Sequence, residues 1–155
     1  MKKQFLTLVF LSVCMSVFAQ SPHNILREYK NNDGVVSLKF DGDIMGLLNS
    51  DNGEEIKSEL DYMDIIIFKE GTDMTAGDQK SLHNSLTQDN YELLINAKDG
   101  KNRVKVMGQN EGETITKVFI NANTEKANIY VVVAGKIYFE ELQNLNLDKI
   151  ENIFD

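Results

Sequence analysis

One apolar run, within residues 127–142, constrains the fold of this chain more than any other feature. Residues 129–133 read Ile-Tyr-Val-Val-Val, a sequence of β-branched and aromatic side chains. Such residues fit a pleated, half-buried surface and favour a β-strand. Successive side chains of a strand point to opposite faces, so alternate residues from Ile129 would lie on one face and those from Tyr130 on the other. Both sets are apolar, and we therefore expect an interior strand of a sheet that is covered on both sides.

The first nineteen residues have the pattern of a secretory signal peptide. Lys2 and Lys3 are basic, residues 5–13 are apolar, and Ala19 is a small residue at the cleavage position. The apolar stretch is too short and wrongly flanked for a membrane span. We expect cleavage after Ala19 and export to the periplasm or cell envelope. Residues 20–155 contain no second long apolar stretch and are long enough for a single domain.

The single cysteine, Cys14, lies inside the signal segment. It leaves one alternative open, in which Cys14 is the lipidated first residue of a membrane-anchored lipoprotein. Lipoprotein cleavage requires a small residue before the cysteine, and Val13 stands there, so we favour cleavage after Ala19. In either case the mature domain has no disulfide, no cysteine nucleophile and no cysteine-bound metal, and its core must hold it together.

The chain is acidic, which limits its partners. Its formal net charge is −8, and removal of Lys2 and Lys3 with the signal leaves −10 for the mature part. A domain with this charge repels nucleic acid and anionic lipid headgroups. We therefore expect no nucleic-acid partner, and we interpret most of the acidic surface as a means of keeping an exported protein soluble.

Hydrophobic periodicity predicts six strands and two or three helices. The predicted strands cover residues 35–40, 61–70, 91–97, 103–108, 113–121 and 126–134. The predicted helices cover residues 22–32 and 75–90, with a C-terminal helix or turn through Leu142, Leu145, Leu147 and Ile150 and further short helical turns around residues 44–48 and at Ile56 and Leu60. Alternating runs at this spacing are typical of an antiparallel meander for the last four strands. We predict an α+β domain: a two-layer, mostly antiparallel sheet of about six strands, with the helices chiefly on one face.

Several local signals fix the ends of these elements. Ser21 is a good N-cap before Pro22, and Thr75 and Asp78 have the spacing of a capping box. Asp-Gly at residues 99–100 lies between two alternating runs and predicts a hairpin. Gly135 would allow a bend, after which Ile137 and Phe139 alternate in one more short run.

The end of the chain resembles a known family. Val131-Val132-Val133, Gly135, Ile137, Phe139 and Leu142 are similar to the ending of the domain of unknown function 4252 family. The earlier order of a signal, a short helix, the strands VVSLKF and MDIIIF, a helix and a meander also fits, so the resemblance covers most of the mature chain. It implies a small α+β domain in the envelope, like the small exported proteins of the Bacteroidetes, often lipoproteins, that make up the family. It implies no catalytic residues, because the family has none assigned, and the chain departs from the lipoprotein members in lacking a good lipobox.

Possible metal ligands are few and poorly spaced. His23 and His83 are far apart, and a zinc site needs three or four ligands, so we expect both on the surface. The acidic turns at residues 41–43 and 49–55 contain glycine but do not match a calcium-binding EF-hand loop. We predict no cofactor and no metal site, with weak adventitious calcium binding as the alternative.

Candidate catalytic groups are equally weak. Asp61 with Asp64, or Asp73 with Asp78, could be read as a hydrolase dyad. A dyad requires two carboxylates held across a cleft with their pKa values pushed apart, and neighbouring acids on solvated turns do not imply that. We expect no enzyme activity, and a hydrolase ranks third among the hypotheses.

A basic and partly apolar strip is the remaining feature. Arg103, Lys105, Met107 and Lys117 would project from one face of two neighbouring strands, and Val104, Val106 and Val118 from the other. Antiparallel sheets often leave one face to water or to a partner. Our leading hypothesis is a non-catalytic envelope protein that binds another, unidentified envelope protein through this strip, in assembly or stress-linked signalling. The alternative is a small-ligand or ion-binding module with a cleft between helices and sheet.

Overall fold

A computed structural model describes residues 20–42 and 58–143, which form one six-stranded sheet with three helices. The strands are β1 (Val35–Asp41), β2 (Glu59–Lys69), β3 (Glu92–Asp99), β4 (Asn102–Glu111), β5 (Thr114–Asn123) and β6 (Ala127–Ile137). The helices are α1 (Pro22–Arg27), α2 (Ala76–Gln88) and α3 (Phe139–Gln143). The predicted α+β fold with six strands is confirmed. The signal segment with Cys14, the turns predicted at residues 44–48 and Ile56, and Leu145, Leu147 and Ile150 lie outside the described residues.

The strands are arranged in the order β1-β2-β6-β5-β4-β3, and every neighbouring pair is antiparallel. The last four strands form the predicted meander, and β3 and β4 join at Gly100 and Lys101 as the Asp-Gly signal indicated. The run that begins at Ile129 is β6, which lies between β2 and β5. It is therefore the interior strand that the sequence predicts.

Both α1 and α2 pack on one face of the sheet, which we call the helix face. Its core joins side chains from β2, β5 and β6 to others from the two helices and their ends: Ile66, Phe68, Phe119, Tyr130, Val132, Ile25, Leu26, Tyr29, Met74, Leu82, Leu86 and Tyr91. Phe68 is fully buried at its centre, with its ring edge-on to those of Tyr29 and Tyr130 at centroid distances of 5.3 and 5.7 Å. Edge-to-face packing adds to the burial of apolar area, so this cluster fixes the helices on the sheet.

The opposite face is also apolar and buried. Its side chains come from strands alone, and they are Leu60, Ile65, Ile67, Val106, Ile115, Val118, Ile120, Val131, Val133 and Ile137. The alternation of β2 and β6 therefore supplies two cores rather than one core and one wet face. This explains why the residues of β6 are apolar at nearly every position, as the sequence indicated.

Two elements end differently from their prediction. Helix α1 ends at Arg27 rather than at residue 32, because the chain turns there and carries Tyr29 towards α2. Strand β6 does not bend away at Gly135 but continues to Ile137, and Phe139 opens α3 instead of extending an alternating run. Leu60, which was assigned to a short helix, lies in β2.

The start of α2 has the predicted capping box in a modified form. The Thr75 hydroxyl accepts a hydrogen bond from the Asp78 amide at 3.1 Å and donates to the Asp78 carboxylate at 2.7 Å. The Thr75 amide donates to the hydroxyl of Tyr29 at 3.1 Å, and Tyr29 in turn donates to Asp78. Hydrogen bonds from Tyr29, and then from Thr75, lower the pKa of the Asp78 carboxyl. This network ties α1 to the N-terminus of α2.

Replacing Tyr29 with phenylalanine should lower stability in a pH-dependent way. The pKa of Asp78 lies below its ordinary value of 3.8 in the folded protein. Its carboxylate therefore stabilises the fold fully above that value, and this contribution is lost as the pH falls through the lowered pKa. Urea unfolding should show the largest loss for Tyr29→Phe at neutral pH and a smaller one below about pH 4. Asp78→Asn is the control that removes the titration, and a Tyr29→Phe deficit of constant size at every pH would contradict the assignment.

Candidate functional site

The four residues of the predicted strip share the helix face of the sheet. Arg103, Lys105 and Met107 alternate along β4, and Lys117 lies on the neighbouring strand β5. Val104, Val106 and Val118 contribute to the opposite face, as expected. Met107 opposes Phe119 and packs against the core of the helix face, whereas the three basic side chains are exposed. The shared face is thus confirmed, and it is the face that carries the helices.

Strand register arranges this surface in rows across β4, β5 and β6. Lys105 opposes Asn121, which opposes Tyr130. One step towards the end of the sheet, Arg103 opposes Asn123, which opposes Asn128. Each row spans about 10 Å, because adjacent strands lie about 4.8 Å apart. The two rows together form a polar platform with cations at its β4 side and amides at its centre.

A cleft of about 290 Å³ lies between this platform and α2. Its lining residues are Asp73, Met74, Gln79, Leu82, His83, Leu86, Lys105, Met107, Phe119, Asn121, Asn123, Asn128 and Tyr130. Apolar side chains occupy the deep part, where α2 meets the sheet, and polar side chains occupy the mouth. A small number of polar groups converging on an apolar floor is the usual form of a binding site. Lys105 and Met107 of the predicted strip line this cleft, Arg103 flanks it, and Lys117 lies beyond Phe119.

Side-chain amides connect the cleft mouth through hydrogen bonds. The Asn121 amide donates to the Asn128 side-chain oxygen at 2.8 Å, and the Asn128 amide donates to the Tyr130 hydroxyl at 2.9 Å. The Asn128 amide also lies 3.4 Å from the Asp73 carboxylate, which accepts from the Met74 amide at 2.8 Å. These bonds hold the side chains in defined orientations, so the polar groups of the mouth are preorganised for a ligand.

Tyr130 presents a protonated hydroxyl to this network. Burial and the nearby Asp73 carboxylate raise the pKa of Tyr130 to about 12, against a smaller lowering effect of the Asn128 hydrogen bond. The hydroxyl oxygen already accepts from Asn128, so its proton is left to donate. The cleft therefore offers hydroxyl, amide and ammonium donors at its mouth, and Asp73 as an acceptor at one side.

The strip's cations have no carboxylate partner, which they share with most lysines and arginines in the described part of the chain. Ion pairs there link Lys39 to Asp41 and Lys101 to Glu125. Arg103, Lys105 and Lys117 belong to neither pair, and what distinguishes them is their place beside the cleft. Unpaired cations at the lip of a cleft, on a chain of net charge −8, form a local positive field that an anionic group can enter.

A second polar group lies beneath α1. His23 pairs through Nε2 with the carboxylate of Asp64 on β2, and its ring stacks on that of Tyr62 at a centroid distance of 5.2 Å. Asp64 is 5% exposed, and its second carboxylate oxygen has no hydrogen-bond partner. Burial, and then the carboxylates of Asp64 and Asp61, raise the pKa of Tyr62. The hydrogen bond between His23 and Asp64 anchors the first turn of α1 to the sheet.

This second group corrects two sequence predictions. His23 was expected on the surface, but only 21% of its side chain is exposed, whereas His83 is exposed as predicted. Asp64 lies within β2, in the strand predicted over residues 61–70, but it is buried on the same face as Ile66 and Phe68 and is not the solvated acid of the dyad argument. The two-residue period of the strand contained that signal, because it places residue 64 on the face of two large apolar side chains.

The described residues show neither a metal-binding cluster nor a membrane-spanning helix. The described residues contain no group of three or more His, Cys, Asp or Glu side chains that could hold a metal ion. Asp41, from one predicted acidic turn, is bonded to Lys39 at the end of β1, and residues 49–55 lie outside the described residues. No helix in the described part of the chain is long and apolar enough to cross a membrane.

Comparison with known proteins now identifies the domain. The model of a family described as a domain of unknown function, DUF4252, matches residues 29–145. The chain belongs to this family. Searches of curated proteins and of solved structures gave no match. The DUF4252 match covers all six strands and α2, so the cleft and the strip lie entirely within the family domain, whereas His23 precedes it.

Proposed function

We propose that this DUF4252 domain is an exported, non-catalytic binding protein of the cell envelope that holds an acidic segment of a partner protein. The observation that carries the proposal is the position of Lys105 and Arg103 beside a cleft lined with side-chain amides. Neither cation has a carboxylate partner among the described residues. The N-terminal signal pattern supports export. The partner's role in assembly or stress-linked signalling is part of the same proposal.

Chemical complementarity supports an acidic peptide as the bound segment. Carboxylates would meet the ammonium of Lys105 and the guanidinium of Arg103. The peptide backbone would meet the side-chain oxygen of Asn121, whose amide N–H groups already donate to Asn128 and to the Ile129 carbonyl, and the side-chain amide of Asn123. Complementary charge orients the encounter, because the rest of an acidic protein repels the same segment. Met107 and Phe119 offer an apolar floor for one side chain of the peptide.

A small ligand is the second candidate, and the volume of the cleft favours it. About 290 Å³ is close to the lower limit of typical ligand sites. Asp73 lies across the platform from the cations of β4, so a compact molecule with a carboxylate at one end and an amine at the other would satisfy both sides. Such a ligand would be retained when Arg103, which does not line the cleft, is altered alone.

The partner is sought by photo-crosslinking in cells. A photoreactive amino acid replaces exposed His83, which lines the cleft and is assigned no contact with the peptide, and in the matched control it replaces exposed Lys126. We expect a single crosslinked protein from position 83 and not from position 126, joined through a peptide rich in Asp and Glu. A crosslinked peptide of neutral or basic composition, or equal capture from both positions, would overturn the proposal.

Charge reversal at the strip should abolish recognition of acidic peptide. Purified full chain is titrated with a fluorescent octamer of glutamate, with an octamer of lysine as the control probe. Arg103→Glu combined with Lys105→Glu is expected to weaken glutamate binding at least about tenfold. Lys80→Glu combined with Lys126→Glu introduces the same charge elsewhere and should have a much smaller effect. Binding should also weaken with added salt, because exposed charges are screened; equal losses in both double variants would contradict a local site.

A further inference from the structure

The two edge strands of the sheet differ in how they are protected against pairing with another chain. At one edge, β3 has a bulge between Leu93 and Ile95, which breaks its register with β4. At the other edge, β1 pairs with β2 over its full length without any shift, and it contains no proline. Bulges, prolines and charged side chains, lysine in particular, are the usual devices that block edge-to-edge association, and of these β1 has only Lys39 and Asp41, which neutralise each other in an ion pair. Within the described residues, β1 is therefore the edge that is suited to accept another strand.

The outward backbone groups of β1 follow from its pairing with β2. The Gly42 amide donates to the Asp61 carbonyl at 2.9 Å. Because inward and outward groups alternate along an antiparallel strand, the amides and carbonyls of Ser37, Lys39 and Asp41 point away from β2. These three residues form a regular row of donors and acceptors along the outer edge.

We propose that two copies of this chain associate through antiparallel pairing of β1 with β1 of the second copy, about a two-fold axis at Leu38. This register pairs all seven residues of the strand and sets Ser37 of one copy opposite Lys39 of the other. The backbones of these two residues then exchange hydrogen bonds, since both point outward. A shift that centres the axis on Lys39 would place two lysines opposite each other, which is unfavourable.

Side chains agree with the same register. Val36, Leu38 and Phe40 project from the opposite face, where they pair with Ile67, Ile65 and Met63 of β2. Phe40 is 37% exposed, and among the described residues it is one of three large apolar residues that are exposed to water, the others being Leu93 and Phe139. Around the axis at Leu38, each Phe40 lies opposite Val36 of the second copy, so the apolar row becomes continuous. Lys39 is the one cation of the strand, and its Nζ lies 2.7 Å from a carboxylate oxygen of Asp41. In the proposed register, no like charge of the second copy lies opposite Lys39.

This arrangement would place two binding clefts on one surface. A two-fold axis perpendicular to a continuous sheet keeps the helix faces of both copies on the same side. Seven intervals between neighbouring strands, each about 4.8 Å, separate β5 of one copy from β5 of the other, so the two clefts would lie about 34 Å apart. A partner with two acidic segments could then bind both sites at once and gain avidity.

Charge substitutions at Ser37 test the register. Ser37 is exposed, so the fold should tolerate either variant. Ser37→Lys places a lysine opposite Lys39 twice in the dimer, whereas Ser37→Glu places a glutamate there. Sedimentation equilibrium of the full chain should show a dimer dissociation constant that rises about tenfold for Ser37→Lys and falls for Ser37→Glu. A chain that stays monomeric up to high micromolar concentrations, or a shift in the same direction for both variants, overturns the proposal.

A disulfide on the axis gives an independent test. In a Cys14→Ser background, Leu38→Cys would place two thiols at a non-hydrogen-bonded pair, where Cα atoms are about 4.5 Å apart and a disulfide can form. Mild oxidation should give a covalent dimer from Leu38→Cys and much less from Val36→Cys, whose opposite residue is Phe40. Equal dimer yields from the two variants would place the contact elsewhere and overturn the register.

Discussion

Replacing Gly135 with alanine is expected to destabilise the fold by about 3–5 kcal/mol, since the change combines overpacking with backbone strain. Gly135 has a φ of +152°, a region that side chains rarely adopt. A Cβ atom there would lie 2.2 Å from the Glu59 carbonyl oxygen and 2.8 Å from the Leu60 Cα. Both contacts are with the backbone of β2, so no side-chain rotation can relieve them. The substitution must instead separate β2 from β6 where the start of β2 pairs with the end of β6.

Urea unfolding of two other glycine variants distinguishes the cost of backbone strain at a positive φ from the cost of overlap between an added Cβ and β2. Gly112 has a φ of +65° with nothing within 4 Å of an added Cβ, so Gly112→Ala should cost only about 1 kcal/mol through strain. Gly77 lies in α2, where a Cβ would make an ordinary 3.8 Å contact with Thr75, so Gly77→Ala should stabilise by about 0.5–1 kcal/mol. A loss for Gly135→Ala no larger than that for Gly112→Ala would contradict the close approach of the strands.

The same glycine shows why the end of β6 was not predicted. A single sequence indicates that Gly135 is free to bend, but it does not show that another strand approaches within contact distance. The register of β6 shifts against β2 near Leu60 and against β5 near Ile115, so both neighbours are irregular here. Glycine accommodates these irregularities and allows the strand to continue to Ile137. The local pattern predicts β6, but tertiary packing determines that it continues to Ile137.

Local periodicity predicts the shared face of the strip, but it does not predict which residues line the cleft. The two-residue period of β4 was enough to put Lys105 and Met107 on one face, and strand pairing confirms it. A cleft between helices and sheet is part of the alternative sequence hypothesis, but its lining could not be foreseen, because Asp73 and Asn128 meet across 55 residues of sequence and α2 supplies the wall. Such contacts depend on strand order, which no local pattern contains.

The His23–Asp64 hydrogen bond beneath α1 leads to the second large effect. His23→Ala should destabilise the protein by about 2–3 kcal/mol, because it leaves the carboxylate of Asp64 buried without its hydrogen-bond partner. The loss is limited because the His23 side chain is 21% exposed and water can reach part of the site. The stacking of His23 on Tyr62 is lost as well. Free energies of unfolding in urea at neutral pH measure the change.

A double-mutant cycle distinguishes the hydrogen bond to the buried Asp64 carboxylate from packing of the histidine ring. Asp64→Asn removes the buried charge at nearly constant shape, so it should cost less than His23→Ala does. With asparagine at position 64, the additional cost of His23→Ala should fall by about 1 kcal/mol or more, because no buried charge is left uncompensated. Equal costs of His23→Ala in both backgrounds would mean that packing on Tyr62 alone holds the histidine. A clear difference would show that α1, which lies wholly outside the DUF4252 match, is held to the family domain by its hydrogen bond to the buried Asp64 carboxylate.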